Sequence, residues 1–139
     1  MYKIFIYLLL IFTLNANASE IKWAKDYNAA IEEAKKTNKP VLFISSRHTC
    51  KYCVQLDETT LKDEEVIKKL NKDFISIISY SDDNDYMPKE LWHPGTPAIW
   101  FLLPDGEPMF QPLMGAIKSK NLLEALDIVR EKFNKGKTK

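Results

Sequence analysis

The chain's hydrophobic residues follow two periods, one helical and one strand-like, and the order in which they alternate outlines an architecture. Ala30, Ile31 and Ala34 recur at helical spacing behind Asp26, a residue suited to capping, and Asn38-Lys39-Pro40 stops the run. The pattern predicts a helix from about Tyr27 to Thr37. Val41-Leu42-Phe43-Ile44-Ser45 is then a continuous apolar run too short for a helix, as expected for a strand buried on both faces. From Cys50 the helical period returns with Val54, Leu56 and Leu61, and resumes after a break near Asp63 with Val66, Ile67 and Leu70. Phe74 to Tyr80 reads as a second inner strand, rich in β-branched residues. Ser81 to Pro94 turns acidic and irregular, with room for a helical turn around Lys89 to Trp92. Ala98 to Leu103 reads as a third strand and Pro108 to Met114 as a fourth, joined as an antiparallel hairpin by Pro104-Asp105-Gly106. Ser119 is expected to cap a last helix with Leu122, Leu123, Leu126, Val129 and Phe133 on one face, and Gly136 to end it. With a short strand ahead of the first helix, parallel strands with crossover helices come first, and a hairpin and closing helix follow. The fold class is α/β, with a mixed central sheet flanked by helices.

The first residues change this picture. Lys3 precedes an apolar run from Ile4 to Leu14, and Ala16-Asn17-Ala18 places small residues where a signal peptidase needs them. A helix of that run rises only about 16 Å, against roughly 30 Å of membrane hydrocarbon. Residues 1–18 are therefore read as a secretory signal and residues 19–139 as one domain, periplasmic or otherwise exported and soluble after cleavage. Without residues 1–18 the chain keeps 19 basic and 19 acidic residues. That balance gives no reason to expect a nucleic-acid partner.

Export also changes the meaning of the two cysteines, Cys50 and Cys53, because an oxidising compartment lets disulfides persist. A structural staple acts mainly by closing a long loop in the unfolded chain, and a bridge across two residues closes almost none. Placed where a strand hands over to a helix, the first sulfur sits over unpaired N–H groups and the positive end of the helix dipole, which favours a thiolate on Cys50. Cys53, on the same first turn but deeper, is the natural resolving thiol. An ordinary thiol of pKa about 8.5 is roughly 3% ionised at pH 7, and one lowered to about 6.5 is roughly 75% ionised. Arg47, His48 and Lys51 are expected to add positive charge around Cys50. A Cys50 thiolate can then attack a substrate disulfide, and Cys53 can release the mixed disulfide that forms.

A second constellation, His93-Pro94-Gly95-Thr96-Pro97, lies just before the third strand. Thr96–Pro97 is a candidate cis bond, since X-Pro bonds hold that form at low cost in tight turns. Taken in order, Val41-Leu42-Phe43-Ile44 before the Cys-x-x-Cys, Gly95-Thr96-Pro97 opening a later strand, Asp105-Gly106 in the hairpin and Gly115-Ala116 before the final helix resemble the thioredoxin superfamily. Trp23, Tyr27, Ala30, Ala34 and Lys39-Pro40-Val41-Leu42 are similar to its small exported branch and to the C-terminal domain of membrane thiol reductases. The resemblance implies a thioredoxin-like fold with Cys50 as nucleophile and Cys53 as resolving thiol. It also implies a cis Thr96–Pro97 bond, with Thr96 and Pro97 holding an extended substrate chain. It further implies a protein-disulfide oxidoreductase without cofactor or metal, a monomer that acts on cysteines of exported proteins. The reducing direction is implied too, with electrons from a membrane-embedded thiol donor. Thioredoxins carry Trp before the motif and Gly-Pro within it, where this chain has Thr49 and Lys51-Tyr52. Their buried acid six residues before the first cysteine is replaced by Ile44, so the pattern names no proton acceptor for Cys53.

Other readings use the same sulfurs. A thiol oxidant or an isomerase needs the same fold and motif, and only the redox potential separates them from a reductase. Copper binding or delivery could draw on both cysteines with His48 or His93, or with a methionine such as Met109 or Met114.

Overall fold

A computed structural model describes residues 20–137, so the signal expected at residues 1–18 lies outside the described residues. The chain forms helix α1 (Tyr27–Thr37), strand β1 (Val41–Ser46), helix α2 (Lys51–Glu58), helix α3 (Glu64–Asp73) and strand β2 (Ile75–Tyr80). Strands β3 (Ala98–Leu102) and β4 (Leu113–Met114) and helix α4 (Ser119–Gly136) follow. Single 3-10 turns occupy Thr60–Lys62, Ser81–Asp83 and Lys89–Leu91. The sheet order is β2-β1-β3-β4, parallel between β1 and β2 and antiparallel elsewhere.

Local chemistry accounts for most boundaries. The Asp26 carboxylate accepts the Ala29 N–H at 2.8 Å and starts α1, and Asn38, at φ 52°, closes it in the left-handed conformation that asparagine tolerates. The Asp63 carboxylate accepts the N–H groups of Glu65 and Val66, so α3 begins just after the expected break. β1 is buried along its whole length and feeds two cores by strict alternation. Leu42 and Ile44 join Ile99, Phe101 and the inner faces of α2, α3 and α4. Val41 and Phe43 join Ala98, Trp100, Leu102 and the alanines of α1. Each fully buried large side chain contributes about 1.5–3 kcal/mol, so β1 anchors the molecule.

Three expected features differ. The leading strand is a single bridge from Trp23 to Ser76. The fourth strand, expected over Pro108 to Met114, shrinks to Leu113–Met114 after an isolated bridge between Leu102 and Pro108. Pro108 and Pro112 have no N–H to donate, and the ladder breaks between them. Ser119 does not cap α4: the backbone turns at the extended Lys118, whose carbonyl accepts the Leu122 N–H at 3.0 Å, and Ser119 is already helical. Gly136 is the last helical residue, and Lys137 closes the helix in the right-handed region.

Candidate functional site

β1 ends at Ser46, a turn over Arg47–Thr49 lifts the chain off the sheet, and Cys50 occupies the N-cap of α2 with extended dihedrals. Its sulfur accepts the Cys53 N–H at 3.3 Å, the bond that a serine or aspartate would take at such a position. The Cys50 thiol in turn donates to the Thr96 carbonyl at 3.4 Å. Three residues on, the helix turns Cys53 inward with Leu56, and its side chain is fully buried whereas Cys50 is partly exposed. Both are free thiols.

The two sulfurs are biased in opposite directions. Burial pushes the Cys50 thiol up, but hydrogen bonds from the Cys53 thiol, the Thr96 hydroxyl and the N–H groups of Cys53 and Tyr52 outweigh it, and the thiol ends below its ordinary value. Burial also pushes the Cys53 thiol up, the bond to Cys50 adds to this, and the Ser46 and Thr96 hydroxyls and the Arg47 N–H offset only part. The groups that most favour the Cys50 thiolate are thus hydrogen-bond donors. The His48 ring is engaged elsewhere: Nε2 meets the Asp83 carboxylate at 2.8 Å and the ring stacks on Tyr80 at 3.9 Å. The Asp83 hydrogen bond raises the His48 pKa. Asp82 accepts the backbone N–H groups of His48 and Thr49, which ties the segment before Cys50 to the turn after β2.

Asp57 and Tyr80 had no assigned role in the sequence reading. Asp57 lies four residues after Cys53, one turn along the same helix face. Tyr80 Oη donates to its carboxylate at 3.4 Å. Burial pushes the Asp57 carboxyl up, against the opposing pull of Tyr80 and His48. Burial and the neighbouring carboxylate drive the Tyr80 phenol up to about 12. A cavity of about 270 Å3 reaches this pair, walled by Trp23, Leu61 and Lys62. The helical offset from Cys53 could have flagged Asp57. No local signal could have flagged Tyr80, which arrives through the β1–β2 register that sets it beside Ser46.

Opposite the dithiol, the Thr96–Pro97 peptide bond is cis. Pro97 is buried and its carbonyl accepts the Gly115 N–H at 2.9 Å, so the residue after β4 braces the turn. A Cβ on Gly95 would come within 3.1 Å of the Met114 terminal methyl, which restricts that position to glycine or a displaced Met114. His93 Nδ1 accepts the Gly95 N–H at 3.0 Å. The structure therefore brings Cys50, Cys53, Thr96 and Pro97 together from residues 46 positions apart. Met109 packs against the core instead. Among the described residues, the one grouping of three potential metal-ligating side chains of the His, Cys, Asp and Glu types is His48, Asp82 and Asp83, which includes neither cysteine.

This arrangement, a dithiol at the N-terminus of a helix facing a cis-proline turn on a mixed four-stranded sheet, defines a class. The family model for the thioredoxin-like domain matches residues 27–130, and the chain belongs to that family. It resembles anterior gradient protein 3 of Mus musculus at 30% identity over 78 residues, which cover 50% of this chain and 47% of the mouse protein, so the match spans about half of that relative. Among solved structures, a thioredoxin from Thermus thermophilus superposes with a TM-score of 0.67 at 24% identity, over 79% of this chain and 87% of the other. The reduced C-terminal domain of DsbD from Neisseria meningitidis superposes at 0.60 with 25% identity, over 74% and 93%. Among the described residues no helix is long and apolar enough to cross a membrane.

Proposed function

We propose that this protein is a thiol–disulfide oxidoreductase acting on cysteines of exported proteins, working as a reductase through Cys50 and Cys53. The observation that carries the reading is the opposite bias of the two sulfurs: a partly exposed thiol held towards its anion, and a buried one held towards its neutral form. In the reducing direction the Cys50 thiolate attacks a substrate disulfide, forms a mixed disulfide and expels one substrate thiolate. Cys53 then gives up its proton and attacks Cys50, closing the Cys50–Cys53 disulfide and expelling the second substrate thiolate. Two electrons pass from the dithiol to the substrate, and each expelled thiolate takes a proton. Asp57, one turn beyond Cys53 and open to the cavity, receives the Cys53 proton, the role that Ile44 cannot fill. Thr96 and Pro97 present backbone groups to the substrate chain beside its sulfur. Residues 1–18 direct export, residues 19–139 form the working domain, and a membrane-embedded thiol protein returns it to the dithiol state.

Reduction of insulin by the purified domain, lost on changing Cys50 to serine, tests the exchange chemistry. A measured potential nearer about −270 mV than about −120 mV, with the protein trapped as dithiol in cells, supports the reducing direction. A potential at the oxidising end with the disulfide form predominating in cells makes it an oxidant. N-terminal sequencing of the exported protein tests cleavage after Ala18.

A further inference from the structure

Ser46 closes β1 and is 1% exposed, and its hydroxyl is one of three buried polar side-chain groups without a hydrogen-bond partner among the described residues. Leaving a buried hydroxyl unpaired costs about 1–3 kcal/mol, so alanine would suit the strand better. The other two, Ser76 and Trp100, pair in the sheet with Leu42 and Phe43 in the middle of β1, away from the dithiol. Ser46 stands at the exit of β1, where the next residue, Arg47, turns its N–H to Cys53. By the alternation of β1, Ser46 lies on the face of Leu42 and Ile44 that packs against Leu56 of α2, the helix whose buried residues are Cys53 and Leu56. Its hydroxyl favours an anion on the Cys53 sulfur. A thiolate forming at Cys53 is fully buried and needs donors. The Arg47 N–H is fixed backbone and the Thr96 hydroxyl also serves Cys50, which leaves Ser46 as the uncommitted donor.

We propose that the Ser46 hydroxyl is a catalytic group of the resolving half-reaction, turning its hydrogen onto the Cys53 sulfur as that thiol loses its proton. This rests on the exchange reaction proposed above and adds a donor to it. The proton leaves for Asp57 or cavity water, while the Ser46 hydrogen stays on its oxygen. The Cys53 thiolate then attacks Cys50 Sγ and the substrate departs as thiolate. Once the disulfide has closed, the hydroxyl is uncommitted again.

The test follows release of a preformed mixed disulfide between Cys50 and a small fluorescent thiol from pH 5 to 10 in wild type, Ser46→Ala and Ser46→Thr. Losing one charge-assisted hydrogen bond is expected to move the Ser46→Ala profile up by about one pH unit. At pH 7 the tenfold smaller thiolate fraction is partly offset by greater nucleophilicity, leaving release about threefold slower. With Cys50 changed to alanine, the Cys53 thiolate absorbance at 240 nm should titrate higher by the same unit when Ser46 is alanine. Thermal stability should stay level or rise, because the hydroxyl removed has no partner. Ser46→Thr, which keeps the hydroxyl, should retain the wild-type profile. A Ser46→Ala profile and Cys53 titration that coincide with wild type overturn the role of Ser46 alone. A wild type that never releases the bound thiol overturns the exchange reading and this proposal with it.

Discussion

Two residues separate Cys50 from Cys53, yet the regions around them favour opposite protonation states. The Cys50 side is a helix terminus: a partly exposed sulfur supplied with N–H groups by the first turn of α2 and with a hydroxyl by Thr96. The Cys53 side is the floor of the sheet, fully buried, bordered by Ser46 and Arg47 and one turn from the Asp57–Tyr80 pair. Donors that are free at a helix end stabilise an anion at little cost, whereas burial penalises one unless donors are brought to it. Division of labour between a nucleophile and a resolving thiol follows from this difference.

The contrast is broken most completely at the sulfurs. Cys50→Ser is expected to lower insulin reduction on the order of a thousandfold or more, since the remaining thiol, Cys53, is fully buried. Cys53→Ser should keep that step and stop after it, so mass spectrometry should find the substrate held on Cys50. Retained turnover in either variant would contradict the assignment.

Asp57→Asn comes next, with release of the mixed disulfide slowed about tenfold to a hundredfold if Asp57 accepts the Cys53 proton. The same variant should be more stable than wild type at neutral pH. Burial raises the folded carboxyl above its unfolded value of about 3.9, so folding binds a proton and stability falls as pH rises through that interval. The advantage of asparagine, read by urea unfolding, should shrink at pH 4 and below. The Tyr80 phenol, now near 12, should titrate closer to 10 once the carboxylate is gone.

A smaller effect separates the two steps in the wild type. Because Cys50 sits below and Cys53 above the ordinary thiol value, attack should persist to lower pH than release. Stopped-flow measurement of the two phases should show two inflections, and a single shared one would contradict the opposite bias. The smallest change is expected at the rim. Asp83→Asn removes the bond that raises the His48 pKa, so the ring should titrate nearer 6.5 by NMR. The stabilisation from that pair is present at acid pH and is lost as pH rises through the elevated His48 value. Since His48 and Asp83 are both exposed, water and salt should hold the change in exchange rate below about threefold.

Much of the fold was legible in the sequence because local forces set it. The α1 boundaries match the cap at Asp26 and the stop at Asn38, β1 follows an unbroken apolar run, and α3 starts behind Asp63. Legibility fails where two residue preferences compete. The run from Pro108 to Met114 looked like a strand, but its prolines leave the ladder without donors. Ser119 is a favoured cap residue, yet the turn falls one position earlier at Lys118. The expected contribution of His48 to the charge around Cys50 was misread for a different reason: closeness in sequence says nothing of where a side chain is engaged, and His48 is held by Asp83 and Tyr80.

By itself the sequence determined the α/β order of elements, the strand-to-helix junction that carries the dithiol and the two motifs that face each other. These depend on periodicity, capping and backbone restrictions within a few residues. Only the tertiary structure decided which groups surround each sulfur. Thr96 meets Cys50 across 46 positions, and the β1–β2 register brings Tyr80 beside Ser46 and within reach of Asp57. Burial is a property of the assembled cores, so the desolvation that raises Cys53 and Asp57 exists only once the sheet and helices have closed over them.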